Sequence, residues 1–134
     1  MNFLENVCLL AGRLLMGAYF ILPGVQKITG FDEMTSYMEA HGVPMVSVFL
    51  PLTILLQISA GAAIVVGYRG KVAAFILAGL TFIISIYMHD FWSMVKGIEQ
   101  AHELQNFIKN IAIMSGLLIV AAQGTGKFSL DNKR

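Results

Sequence analysis

Four long apolar stretches alternate along the chain with short polar segments in which glycine and proline gather. A helix needs about 20 apolar residues to cross the hydrocarbon core of a bilayer. The pattern therefore predicts four membrane-spanning helices, at about residues 4–27, 44–67, 72–88 and 105–122. The first stretch has no basic start and is interrupted by Arg13, so we interpret it as a span rather than a cleaved leader.

Helical spacing places small and polar residues on one face of each predicted span, as expected for helices that pack closely inside a bundle. These faces comprise Arg13, Gly17, Phe20, Gly24 and Lys27 in the first span, Gln57 and Gly61 in the second, Ala74, Ala78, Thr81, Ser85 and His89 in the third, and Lys109, Ile113 and Gly116 in the fourth, with Asn110 beside them.

Composition supports a membrane protein. Of the 134 residues 57% are hydrophobic and only 13% are charged, whereas about a quarter of a soluble domain is charged.

The net charge of +1 gives no basic field for a nucleic-acid partner. A single cysteine, Cys8, excludes an intrachain disulfide and is expected to be a small buried residue. The histidines lack the spacing of a metal site, so none is predicted.

Basic residues are distributed unevenly between the two sides of the predicted membrane. The side of the termini holds Arg69, Lys71, Lys127, Lys133 and Arg134, and the opposite side holds Lys27, Lys96 and Lys109. Because basic residues are retained on the cytoplasmic side, both termini are predicted to be cytoplasmic, with residues 123–134 as a tail. The expected fold is one all-α domain over residues 1–134, a four-helix bundle in a bacterial inner membrane, with the lipid bilayer as its surroundings.

The predicted outer connections have amphipathic patterns. Residues 31–40 place Phe31, Met34 and Tyr37 on one helical face and their acidic residues on the other, which predicts a short helix in the outer interface. Residues 89–103 mix apolar and charged side chains, and we expect a second short helix there.

Polar residues inside the spans are candidates for function because placing them in a bilayer is costly. Arg13 is nine residues from Leu4 and Gln57 is ten from Gly67, so both are predicted to lie roughly 14 Å from the cytoplasmic side and to contact each other. Other polar residues collect at the outer ends of the spans. The candidate ligand-binding residues are Arg13, Lys27, Gln57, His89, Lys109 and Asn110.

Each candidate also has a structural explanation. Lys27 and Lys109 are explained equally well as lysines whose side chains extend to the outer head groups. Arg13 is better explained as an anchor that bonds Gln57 and backbone carbonyls, with ligand contact as the alternative. His89 is better explained as an ordinary helix end.

The chain resembles the DoxX family of small bacterial membrane proteins in residues 13–17 and 24–31. The resemblance continues through residues 37–40, 42–44, 50–52, 88–91 and 107–112. It implies a four-helix bundle with cytoplasmic ends, and the family's typical Arg, Lys, His and Lys fall on Arg13, Lys27, His89 and Lys109. Many members carry Glu where this chain has Gln57, so an Arg–Glu proton relay is not expected here.

The resemblance also implies a function, since relatives resemble the small subunit of a thiosulfate:quinone oxidoreductase or belong to membrane redox complexes. We therefore expect a quinone-linked redox accessory or subunit, with a quinone as the cofactor and a redox partner protein as the source of the electrons. A non-catalytic scaffold or binding subunit is the alternative. A small-solute transporter is less favoured because no inverted repeat is visible. The sequence leaves enzymatic activity and homo-oligomer formation open.

Overall fold

Four of the five α-helices within residues 1–133, the part of the chain that the computed structural model describes, are long and apolar enough to cross a membrane. The helices are α1 (Phe3–Thr29), α2 (Phe31–Ala40), α3 (Val46–Val66), α4 (Gly70–Met88) and α5 (Ile98–Gln123). Single 3₁₀ turns cover Phe91–Ser93 and Asp131–Lys133. The prediction of an all-α protein with four spans, α1, α3, α4 and α5, is confirmed.

The long helices pack through the faces predicted from helical spacing in the first three spans. On α1, the buried residues include Arg13, Gly17, Phe20 and Gly24. On α4, the buried residues include Ala74, Ala78, Thr81 and Ser85. The face predicted for the fourth span is wrong by one residue, because α5 buries Asn110 and Leu117 and leaves Lys109 exposed. Each residue turns the helix by about 100°, so a shift of one moves Lys109 off the buried face.

Two glycines allow α1 and α3 to approach closely. A Cβ atom on Gly17 would lie 2.7 Å from the carbonyl oxygen of Gly61, and a Cβ on Gly61 would lie 3.1 Å from the carbonyl oxygen of Gly17. Small residues at a crossing are a common way for membrane helices to associate. Beyond this crossing, Phe20, Ile64 and Leu117 form part of the buried apolar core.

Two local predictions differ from the structure. The separate short helix expected within residues 89–103 is absent from the described structure: Phe91–Ser93 form a 3₁₀ turn, and α5 begins at Ile98 rather than near residue 105. Polar side chains are accommodated in the first turns of α5 because they find partners: Gln100 Nε2 donates to the carbonyl oxygen of Phe91 at 3.1 Å. The other short outer helix is confirmed as α2. Cys8, expected to be buried, is exposed because it lies off the buried face of α1.

The segment after α5 returns to the bundle and joins the other two connections at that end. The Asp131 carboxylate accepts hydrogen bonds from the backbone N–H groups of Arg69 at 2.7 Å and Gly70 at 2.9 Å. The N–H of Lys127 donates to Asn6 Oδ1 at 2.7 Å. The N-terminus, the α3–α4 connection and the C-terminal segment therefore share the end that the distribution of basic residues assigns to the cytoplasm.

Candidate functional site

Arg13 is bonded entirely to backbone carbonyl groups in the described chain. Its side chain is 2% exposed. Nε donates to Ile64 O at 3.0 Å, Nη2 to Val65 O at 2.8 Å, and Nη1 to Thr125 O at 2.8 Å and Phe128 O at 3.0 Å. The last carbonyls of a helix have no partner inside it, so the guanidinium satisfies the end of α3 and fixes the C-terminal segment at the same time.

The predicted contact between Arg13 and Gln57 is wrong. Gln57 lies seven residues before Ile64 on α3, which is roughly 10 Å along the helix. Gln57 Oε1 instead accepts a hydrogen bond from Lys27 Nζ at 3.1 Å. The guanidinium bonds the carbonyls of Ile64 and Val65 at the helix end, whereas the amide of Gln57 faces the outer half of the bundle. The backbone-anchor explanation of Arg13 fits the structure.

A cavity of about 240 Å³ lies in that outer half and is lined by residues of all four long helices and of α2. We call it the outer cavity. Four of the six candidate residues line it: Lys27 on α1, Gln57 on α3, His89 at the C-cap of α4 and Asn110 on α5. Arg13 and Lys109 are outside its lining in the described structure. The six candidates thus separate into one group of four, one cytoplasmic anchor and one exposed lysine.

The polar groups of the outer cavity are only partly satisfied. Tyr19 Oη donates to Asn110 Oδ1 at 3.4 Å, a long contact. The Thr81 side chain is 3% exposed, and its hydroxyl oxygen has no hydrogen-bond partner among residues 1–133. Buried polar groups without partners are rare in folded proteins. The cavity therefore presents hydrogen-bonding capacity that the described residues leave unused.

Two histidine–carboxylate contacts lie near the outer end of the cavity, one of them made by the lining residue His89. His89 Nδ1 lies 2.7 Å from Glu103 Oε2, and His41 Nδ1 lies 3.6 Å from Asp90 Oδ1. The ring of Tyr37 packs on that of His41 with centroids 4.5 Å apart. Burial raises the pKa of Tyr37, and the negative charges of Glu103 and Asp90 raise it further. His89 is both the C-cap of α4 and a lining residue of the outer cavity.

Sequence reasoning missed two groups in the outer cavity. Thr81 lies on the predicted small, polar face of α4 but is not among the six candidates. Tyr19 is not among them either, although Tyr19, Pro23 and Lys27 are spaced by four residues and so share one side of α1. That spacing was the available signal for Tyr19. The unpaired state of the Thr81 hydroxyl could be found only from the packed structure.

The DoxX family model matches residues 8–90, more than half of the chain. The chain belongs to the DoxX family. No solved structure matches it.

Two bacterial relatives match this DoxX-family chain over nearly its whole length. "Inner membrane protein YqjF" of Escherichia coli K12 is 37% identical over 131 residues, which cover 98% of this chain and 95% of that protein. "Inner membrane protein YphA" of the same strain is 30% identical over 127 residues, covering 95% and 90%. A "Surfeit locus protein 4 homolog" of Schizosaccharomyces pombe is 22% identical, over 98% of this chain and 51% of that protein.

These relatives and the four apolar helices agree on where the protein resides. It is an inner membrane protein that crosses the bilayer several times, and its apolar helices contact lipid.

Proposed function

We propose that this DoxX-family protein binds the head group of a quinone in the outer cavity and acts as a quinone-linked accessory subunit of a membrane oxidoreductase complex. The observation that supports the proposal most is the unused hydrogen-bonding capacity of that cavity. It combines a lysine ammonium with a buried, unpaired hydroxyl, at Lys27 and Thr81.

The donors of the cavity suit a ligand that accepts hydrogen bonds through carbonyl oxygens. An ammonium group has three N–H donors, and in the described structure Lys27 makes one side-chain hydrogen bond, to Gln57. The hydroxyl of Thr81 is a further donor and comes from α4, across the bundle from α1. A quinone ring carries two carbonyl oxygens on opposite sides, so donors from two different helices match its geometry.

The size of the cavity suits a ring better than a large ligand. Its volume, about 240 Å³, lies just below the range of about 300–1,000 Å³ that is usual for ligand pockets. Apolar groups on the walls, including Phe20, Pro23 and Met88, would contact the faces of the ring. A bound quinone would supply reversible two-electron, two-proton chemistry, with the electrons carried by a redox partner protein.

In this proposal the residues of the chain bind and orient the ring. Lys27 and Thr81 donate to the carbonyl oxygens, and Gln57 positions Lys27 through the 3.1 Å hydrogen bond. Asn110, already in contact with Tyr19, borders the same space. Arg13 and Lys109 have no part in binding.

The test is to measure quinone carried by the purified protein. Wild type, Lys27→Met, Thr81→Val and Lys109→Met are purified in mild detergent, extracted with solvent and analysed by mass spectrometry for quinone per chain. Lys109→Met is the matched control, since it removes the same charge from an exposed position. We expect about one quinone per wild-type or Lys109→Met chain. Lys27→Met should lower quinone affinity about tenfold or more, because a hydrogen bond from a charged donor is lost.

Thr81→Val separates binding from folding. Its hydroxyl has no partner within residues 1–133, so an apolar replacement of the same shape should leave the melting temperature unchanged or raised. Quinone content should nevertheless fall. Phospholipid alone in the wild-type extract, or equal quinone loss in Lys109→Met, would contradict the proposal and favour a scaffold function.

A further inference from the structure

A second, larger cavity lies between α3 and α4 and is almost wholly apolar. Its volume is about 710 Å³. We call it the α3–α4 groove. Its walls include Phe49, Leu52, Leu56, Phe75, Ile83 and Tyr87. The lining residues of α4 extend from Phe75 to Met88, roughly 20 Å along the helix axis, compared with a hydrocarbon core of about 30 Å.

The groove adjoins the outer cavity. Four residues line both spaces: Met38, Thr53, Ile84 and Met88. One layer of side chains therefore lies between them. Two of these are methionines, whose unbranched side chains adapt to irregular spaces. A polar head in the cavity and an apolar chain in the groove could belong to one molecule with only these side chains reoriented.

The groove is a local feature of the α3–α4 pair. Close approach between α1 and α3 rests on Gly17 and Gly61. On α4, Gly79 is exposed, and a Cβ added there would meet nothing within 4 Å. Gly79 therefore contributes open space to the groove rather than a helix contact, and a flexible apolar chain is the occupant whose chemistry matches this lining.

We propose that the ligand is a single amphiphile whose head occupies the outer cavity and whose long apolar chain lies in the α3–α4 groove. This inference rests on the proposed function and deepens it, since it names the substrate class as quinones with an isoprenoid chain. Quinone rings without an isoprenoid chain should bind the outer cavity more weakly. The groove also provides the lateral route from the bilayer to the cavity.

The test fills the groove without disturbing the bundle. Gly79→Leu places a side chain in the open space at Gly79. Gly12→Leu is the matched control, because a Cβ at Gly12 of α1 also meets nothing within 4 Å and Gly12 is outside the groove lining. Both variants gain similar helix propensity by replacing glycine with leucine. Two probes are compared: a dimethoxy-methyl-benzoquinone with a long isoprenoid chain, and the same ring with no chain.

Binding of each probe to the full chain is measured by titration in detergent. We expect wild type and Gly12→Leu to bind the long-chain quinone about fivefold or more tightly than the bare ring, since head and chain bind as linked groups. Gly79→Leu should lose that preference and keep the affinity for the bare ring.

Two contrary results have different meanings. A preference that persists unchanged in Gly79→Leu, with ring binding still dependent on Lys27, would overturn the groove as the chain site and leave the proposed function standing. No binding of either probe to wild type would overturn the proposed function, and the inference with it.

Discussion

Arg13 Nη1 donates a hydrogen bond at 2.8 Å to the carbonyl oxygen of Thr125, which lies 112 residues later in the chain. The same side chain bonds the last carbonyls of α3. One buried guanidinium therefore joins α1, α3 and the C-terminal segment at the cytoplasmic end. The outer cavity lies at the other end of the same helices. Anchoring and proposed binding are thus divided between the two ends of the bundle.

Replacement of Arg13 should destabilise the protein more than any change in the outer cavity. In Arg13→Met, four carbonyl oxygens lose their side-chain donor. Hydrogen bonds to charged groups contribute about 1.5–3 kcal/mol each and are not additive, so we expect a loss of about 3 kcal/mol or more. Chemical unfolding in detergent measures this loss. Limited trypsin digestion should cleave at Lys127 much faster in the variant. Lys71→Met, an exposed change at the same end, is the control and should leave both measurements unchanged.

The glycine crossing of α1 and α3 predicts a contrast between two alanine substitutions on one helix. In Gly17→Ala the new Cβ would lie 2.3 Å from Val65 Cγ2 and 2.7 Å from Gly61 O. The helices must separate, at a cost of about 1–3 kcal/mol. Gly12→Ala meets nothing within 4 Å and should be neutral or stabilising by up to about 1 kcal/mol. Thermal unfolding of both variants tests the contrast, and equal melting temperatures would show that the crossing tolerates a methyl group.

Asp131 should control the first turn of α4. Its carboxylate accepts the N–H groups of Arg69 and Gly70, which are otherwise unsatisfied at a helix N-terminus. Asp131→Ala is expected to cost about 1–2 kcal/mol, the usual range for a lost cap with a favourable charge. Hydrogen exchange at the Arg69 and Gly70 amides should accelerate. Asp32→Ala, on the exposed face of α2, should leave these amides protected; if it exposes them as much as Asp131→Ala does, the assignment of the cap is wrong.

The raised pKa of Tyr37 predicts that the protein loses stability at alkaline pH. Burial and the charges of Glu103 and Asp90 raise its pKa from the ordinary value of 10.0. Because the folded state then holds the proton more tightly than the unfolded state, this contribution is complete below about pH 10 and is lost as the pH rises through the folded-state pKa. The difference in melting temperature between wild type and Tyr37→Phe should therefore be constant up to about pH 10. Above that pH the difference should change, because wild type loses this contribution and Tyr37→Phe does not.

A second measurement assigns the cause of the Tyr37 shift. Phenolate absorbance of Glu103→Gln, followed against pH, should show Tyr37 titrating at lower pH than in wild type, since one negative charge is removed. Glu33→Gln, an exposed change on α2, serves as the comparison. A titration curve of Glu103→Gln identical to wild type would exclude the carboxylate as a cause.

The number of spans and the family could be predicted from the sequence alone. Long apolar stretches have few alternatives to membrane helices, because every backbone polar group in lipid must be bonded internally. Small residues at helical spacing also identified the buried faces of α1 and α4. The order of the family motifs identified DoxX membership, which the family match over residues 8–90 confirms.

The partners of the polar residues depend on how the helices pack and could not be predicted from the sequence. The sequence predicts a similar depth for Arg13 and Gln57, but the guanidinium bonds the carbonyls at the end of α3, and Gln57 pairs with Lys27. The buried face of α5 differs by one residue from the predicted face, so Asn110 lines the cavity and Lys109 is exposed. Helical periodicity in the sequence predicts the depth of a residue in the membrane and, approximately, the helix face on which it lies. The acceptor that each polar side chain bonds depends on packing between helices that are distant in the chain. A local sequence pattern does not contain that information.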